Sequence, residues 1–281
     1  MAARATTRRR QLGTTMRKLR GRTGMTLEEA GALVGVSKAT ISRYETQEGP
    51  VKWLVVEALC REYGASDAER QAIVALAKDA KQQNWWHSFA DYLPESANLL
   101  LTLEDEAVRE DHFACVYVPG LLQTRRYAEA VQHASEMRRP PEEIEQLVDL
   151  RMKRQQILAR KQPPHLWVIL DESVLRRVVG SREVMREQLT HLLESNKSQN
   201  ITLQVLPFAQ GAHSAAKGSF VILGAAEPSL DVVYAETHVA SLFMEKEEEL
   251  AQYRLAFDYL RAQALDMAAS SAFIEESRRE M

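Results

Sequence analysis

The stretch Leu27 to Tyr44, LEEAGALVGVSKATISRY, constrains this chain more than any other. Gly35 falls between two short helical patterns, where the chain must turn sharply and a residue without a side chain fits best. Gly31 lies four positions before Gly35 and Ile41 six after it. Val34, Val36 and Tyr44 complete an apolar set that lets the two helices cross closely. Thr26 is a good N-cap for the first helix, and Glu28 and Glu29 occupy its first turn, where the helix dipole favours acids. Ser37 caps the second, which runs to about Glu45. Lys38, Ala39, Ser42 and Arg43 stay outside. Two short helices around a tight turn, the second with a polar outer face, is the arrangement that puts a helix into the DNA major groove.

These residues resemble the lambda-repressor-like helix-turn-helix family, also called the xenobiotic-response-element family. The resemblance runs from about Leu12 to Gly64. It rests on Gly24-Met25-Thr26, Gly35-Val36-Ser37 and Ile41-Ser42-Arg43-Tyr44-Glu45 at fixed offsets. Two positions depart from the family. Leu27 stands where Gln often braces a phosphate or base. Gly31 replaces the usual Ala, at a cost of roughly 1 kcal/mol in helix propensity. The resemblance implies that the helix Ser37 to Glu45 reads the major groove through Lys38, Ala39, Ser42 and Arg43. Arg43 is suited to bidentate contact with guanine, and Lys38 to guanine or phosphate. Thr40, Ser37 and the helix start at Thr26 are assigned to phosphate. Arg20 and Glu45 fall where related domains place a buried ion pair between the first and third helices. The competing reading of the same residues is an ordinary helical hairpin that binds no DNA.

Net charge is -3 over 281 residues, which by itself argues against a polyanionic partner. The distribution argues otherwise. Residues 1–80 carry a balance of +5 and the remainder -8. Arg4, Arg8, Arg9, Arg10, Arg17, Lys18, Arg20 and Arg22 occur before any acid does. A basic end on an acidic body suits contact with nucleic acid, with residues 1–10 as a basic arm. The two cysteines, Cys60 and Cys115, form no Cys-x-x-Cys pair and read as reduced core residues of a cytoplasmic protein. No signal peptide fits the Arg-rich start. No apolar run approaches the ~20 residues that span a membrane.

Leu12, Met16 and Leu19 recur at helical spacing and predict a first helix ending near Gly21 or Gly24. Gly49-Pro50 breaks the chain before a fourth helix, Lys52 to Tyr63. Ser66 or Asp67 caps a fifth, which continues toward Gln83. This predicts an all-α, five-helix domain over residues 1–80. Residues 81–281 read as an α+β regulatory and dimerisation domain. The run Phe113 to Val118 reads as a strand, as do Leu166 to Leu170, Ile201 to Leu206, Phe220 to Leu223 and Asp231 to Tyr234, with Val239 to Met244 as an edge. Helices are expected over Leu121 to His133, from Pro140-Pro141 to Arg160, over Glu172 to Val179 and Glu183 to Glu194, and as one long helix from Glu245 to Met267. Trp85-Trp86 reads as core or domain interface.

Four stretches of this second part are together distinctive: Val118-Pro119-Gly120-Leu121-Leu122-Gln123-Thr124 with Tyr127-Ala128, Leu170 to Arg176, Gln204 to Phe208, and Val233 to Glu236. In this order behind a helix-turn-helix they resemble the large actinobacterial regulator family that includes WhiJ-like proteins. That resemblance implies a transcriptional regulator, and a pairing with a very small protein encoded nearby, in the manner of an antitoxin that regulates its own operon. Physically, Pro119-Gly120 is a turn, and Asp171-Glu172 sits where a helix begins, as a cap or as a ligand or partner surface.

Enzyme chemistry has one weak foothold. Ser214-Ala215-Ala216-Lys217 matches the Ser-x-x-Lys spacing of a lysine-activated nucleophile, yet its small, polar surroundings suit a flexible loop. The seven histidines are scattered, with no metal-ligand spacing, and no phosphate-binding glycine loop occurs. The expectation is a non-enzymatic, cofactor-free homodimer on double-stranded DNA, with half-sites roughly 34 Å apart. The stripe of Leu250, Tyr253, Leu255, Phe257, Leu260 and Leu265 is the candidate dimer contact, or else merely the cover of its own sheet.

Overall fold

A computed structural model describes residues 7–46, 51–79, 86, 89, 92–93 and 95–281, apart from 137 and 227. The chain divides into two compact units. One is drawn from residues up to 87 and from 97–106, the other from 88–96 and 107–281.

The first unit is helical: α1 (Thr7–Thr23), α2 (Leu27–Leu33), α3 (Lys38–Thr46), α4 (Trp53–Glu62) and α5 (Asp67–Asp79). Residues 1–6 of the basic arm lie outside the described residues, and 7–10 already belong to α1. Leu12, Met16 and Leu19 from α1, Ile41 and Tyr44 from α3, and Val56, Leu59 and Cys60 from α4 form one buried core with Ile73 and Ala77 of α5. The Cys60 thiol is pushed up to about 11 by desolvation, as befits a side chain used for packing rather than reactivity. A further helix, α6 (Glu95–Glu106), contains the run Asn98 to Leu101. Trp86 is buried, and Trp85 lies outside the described residues.

The second unit is α+β. Its six-stranded mixed sheet has the order β3-β2-β1-β4-β5-β6. The strands are β1 (Arg109–Ala114), β2 (His165–Asp171), β3 (Ile201–Leu206), β4 (Phe220–Gly224), β5 (Val232–Glu236) and β6 (Ser241–Met244). β1, β2 and β3 run parallel, and β4, β5 and β6 add antiparallel neighbours on the other side of β1. The parallel crossovers carry α7 (Arg125–Ser135) and α8 (Pro141–Arg154), then α9 (Glu172–Arg176) and α10 (Arg182–Ser195). Two helices close the chain, α11 (Glu247–Gln263) and α12 (Met267–Glu280).

Alternation along the strands divides the core between the two faces. Leu166, Val168 and Leu170 of β2 and Leu203 and Val205 of β3 meet Tyr127, Leu175, Leu189 and Ile274 from α7, α9, α10 and α12. Phe113, Ile169, Phe220, Ile222 and Val233 face the opposite way, onto Leu250, Phe257 and Leu260 of α11.

Several sequence expectations shift: the helix expected from Leu121 starts only at Arg125, after a 3-10 turn over Gly120–Leu122, and the one expected to reach Val179 ends at Arg176. The first strand is Arg109–Ala114, not 113–118, and its polar half is central to the sheet. Arg109 there pairs with Asp111 at 2.9 Å and with the buried Asp231 at 3.1 Å, which makes the position tolerable. The apolar 115–118 leaves the sheet, and side chains satisfy two of its amides. Cys115 N donates to Ser219 Oγ, and Val118 N donates to the Tyr127 hydroxyl. The helix expected to run to Met267 ends at Gln263, and a further helix begins at Met267, where Asp266 caps it by accepting from Ala269 N. Finally, the helix from Pro141 ends at Arg154 and passes into a 3-10 turn.

Candidate nucleic-acid interface

Local sequence builds the α2–turn–α3 unit. Thr26 and Glu29 form a capping box at the start of α2. Thr26 Oγ1 accepts from Glu29 N at 3.2 Å, while the Glu29 carboxylate accepts from Thr26 N at 2.8 Å. The hydroxyl of Thr26 also donates to that carboxylate, at 2.9 Å. Those hydrogen bonds hold the Glu29 carboxyl below its ordinary range, the backbone bond from Thr26 first.

Gly35 ends α2 at φ 68°, a left-handed conformation that favours glycine. Its N–H bonds the Ala32 carbonyl, and the next N–H, of Val36, bonds the Gly31 carbonyl at 2.9 Å. These two bonds satisfy carbonyls that the end of a helix otherwise leaves open. Ser37 then caps α3, its Oγ accepting from Thr40 N at 3.2 Å.

Packing fixes the outward face of α3. Ile41 and Tyr44 are buried in the helical core. The Tyr44 hydroxyl accepts from Lys52 N at 3.2 Å, which ties α3 to the entry of α4. Glu45 is buried and receives a two-pronged contact from Arg20, Nε to Oε1 at 2.6 Å and Nη2 to Oε2 at 2.8 Å. Arg20 Nη1 also donates to the Met25 carbonyl, just before the α2 cap. The bond to Glu45 raises the Arg20 pKa further. One guanidinium thereby joins α1, α3 and the loop that leads into α2.

Ser37, Lys38, Ala39 and Arg43 are exposed, Thr40 and Ser42 half-buried, and Thr26 is exposed at the head of α2. A row of contacts along this face is legible in the sequence only as a spacing of three. Ser37 Oγ and Thr40 Oγ1 lie 3.0 Å apart, and Arg43 Nη2 donates to Thr40 Oγ1 at 3.3 Å. Arg17 adds a second cation 3.5 Å from Glu45 and remains largely exposed.

The distinctive C-terminal stretches are held by their own hydrogen bonds. Gln155 Nε2 donates to the Gly120 and Gln123 carbonyls, and Gln188 donates to the Leu122 carbonyl while accepting from Thr124 N. Gln123 in turn donates to the Val118 carbonyl and accepts from Arg151. Asp171 accepts from Ser173 N and caps α9, and Glu172 accepts from Phe208 N. Ser214 donates to the Ala256 carbonyl. The loop around Ser214 is anchored rather than loose, because Ala215 is buried and His213 lies 5.3 Å from the Phe113 ring. Among the described residues, no three His, Cys, Asp or Glu are grouped to hold a metal ion, and no helix is long and apolar enough to cross a membrane.

A helical unit that presents α3 in this way defines the chain as a helix-turn-helix protein, and a helix-turn-helix domain family matches residues 11–73. The chain belongs to the family described as a domain of unknown function (DUF5753), which matches residues 97–276. No curated protein and no solved structure matches it. The helix-turn-helix domain marks a DNA-binding regulator.

Proposed function

We propose that this chain is a sequence-specific transcriptional regulator that binds double-stranded DNA as a homodimer, with α3 in the major groove. The carrying observation is the outer face of α3, where Lys38, Ala39 and Arg43 are exposed while Ile41, Tyr44 and Glu45 lock the helix from behind. Arg43 and Lys38 are assigned to base edges, with Ala39 and Ser42 as close neighbours of the groove wall. Ser37 and the start of α2 at Thr26 are assigned to phosphate. The C-terminal unit is assigned to dimerisation and to sensing a partner protein or ligand. On the order of its four distinctive stretches the chain is placed with WhiJ-like regulators.

Fluorescence anisotropy with DNA from upstream of the protein's own gene tests this. Wild type is compared with a Lys38→Ala, Arg43→Ala protein at two salt concentrations. Salt-weakened binding that the variant loses supports the reading. Equal binding by both proteins removes α3 from the interface.

A further inference from the structure

Resting on the assignment of Arg43 to a base edge, we propose that Thr40 is a positioning residue, one that sets the orientation of Arg43 rather than contacting DNA for itself. Arg43 is exposed, and a free arginine side chain has several rotatable bonds to immobilise on binding. Thr40 lies one turn back on the same face, within reach of the guanidinium. Its Oγ1 accepts from Arg43 Nη2 at 3.3 Å and lies 3.0 Å from Ser37 Oγ. Ser37 is fixed in turn, because its Oγ accepts the Thr40 amide at the cap of α3.

Hydrogen-bond capacity allows the whole row at once. A threonine hydroxyl has one hydrogen and two lone pairs. If it donates to Ser37, both lone pairs are open to Arg43. If it accepts from Ser37, one lone pair remains. In either sense the acceptor that Arg43 uses is kept. The guanidinium has five donors, so one bond to Thr40 leaves enough for a two-pronged contact with guanine. The half-buried setting of Thr40 beside the exposed Arg43 suits a group that holds another side chain ready. Ordering of Arg43 before DNA arrives lowers the entropy lost on contact, which favours the correct base.

A positioning role replaces the phosphate contact that the sequence leads one to expect of Thr40. A phosphate contact raises affinity for every sequence alike, whereas a positioning residue acts at the one base pair that Arg43 reads. Binding-site selection from a random-sequence duplex pool, performed with the full chain, reads this difference. Wild type, Thr40→Val, Thr40→Ser, Arg43→Ala and the Thr40→Val, Arg43→Ala double variant are compared. Valine keeps the shape and removes the hydroxyl, and serine restores it.

Arg43→Ala is expected to lose preference at one base pair of each half-site by roughly tenfold or more. Thr40→Val should reduce preference at that same base pair by about two- to fivefold, the worth of one hydrogen bond. Its other positions and its affinity for random DNA should match wild type, which also shows that it is folded. Thr40→Ser should keep the wild-type profile, and Thr40→Val should add nothing in the Arg43→Ala background. A Thr40→Val profile identical to wild type overturns the proposal, as does one weakened evenly at all positions or a further loss in the double variant. If wild type selects no sequence, or Arg43→Ala keeps the full profile, the underlying assignment of Arg43 fails and Thr40 has nothing to position.

Discussion

A Cβ on Gly31 would lie 2.5 Å from the carbonyl oxygen of Val36. That oxygen belongs to the turn between α2 and α3, and the turn is pinned to Gly31 itself through Val36 N and the Gly31 carbonyl. The obstacle is backbone and has little freedom to move aside. Alanine at 31 gains about 1 kcal/mol of helix propensity and meets overpacking worth roughly 1–3 kcal/mol. Gly31→Ala should therefore destabilise the protein in urea unfolding. A Cβ on Gly21, near the end of α1, would have nothing within 4 Å, so Gly21→Ala should stabilise by about 0.5–1 kcal/mol. Two alanines of equal effect would sink the steric argument.

Arg20 and Glu45 make a different kind of prediction. The Glu45 side chain is 3% exposed and that of Arg20 18%. Removal of one partner leaves the other's charge in a largely dry place. Glu45→Ala should cost about 3 kcal/mol, near the lower end for a broken buried pair because Arg20 retains some solvent. Replacement of both, as Arg20→Met with Glu45→Leu, should recover much of that loss. Chemical denaturation of wild type, Arg20→Met, Glu45→Leu and the double variant gives the coupling directly. If Glu45→Ala unfolds at the wild-type midpoint, the pair carries no structural weight.

The helix-turn-helix was legible because every signal in it is local. The cap at Thr26, the left-handed Gly35 and the apolar spacing from Leu12 to Tyr44 lie within a turn or two of what they determine. The same holds for β2 and β3, whose apolar runs coincide with the strands. β1 was misplaced because its stability is not local. Arg109 reaches Asp231 across 122 positions, and no window of sequence shows that a charged strand will find such a partner. The apolar 115–118 misled for the opposite reason, since the Ser219 and Tyr127 hydroxyls take the amides that a neighbouring strand would otherwise bond. The start of α12 was within reach, as Asp266 ahead of a helical stretch is an ordinary N-cap. Within the candidate interface, sequence offered the exposed residues but not the bond from Arg43 to Thr40, which a spacing of three permits without requiring.

His112 carries the pH dependence. It sits in central β1, and burial first, then the nearby Arg154 charge, lower its pKa from 6.5 to about 3. Between those values the unfolded chain binds a proton that the native protein refuses, so stability rises with pH there. The contribution is fully present above about pH 6.5 and is lost progressively as the pH falls toward 3. At a pH two units below the unfolded value the loss is about 3 kcal/mol. His112→Gln should flatten the pH dependence of urea unfolding between pH 4.5 and 7. An unchanged slope would mean that His112 takes up its proton in the native state as well.

We propose α11 as the contact of the homodimer; its two faces differ. Leu250, Phe257 and Leu260 are buried against the sheet, while Leu255 and Tyr259 are each 58% exposed one turn apart. The sheet thus accounts for only part of the helix's apolar stripe. An exposed leucine and tyrosine at this spacing form an apolar strip to which the same strip of a second copy is a suitable partner. Leu255→Asp with Tyr259→Lys should leave the melting of the monomer near wild type, since neither side chain supports the core. Sedimentation should then report a monomer where wild type reports a dimer. Affinity for a two-half-site operator should fall by roughly 100-fold, because the second half-site no longer joins an already bound protein, while affinity for a single half-site stays the same. A variant that remains dimeric places the contact elsewhere, and a wild type that sediments as a monomer removes the dimer itself.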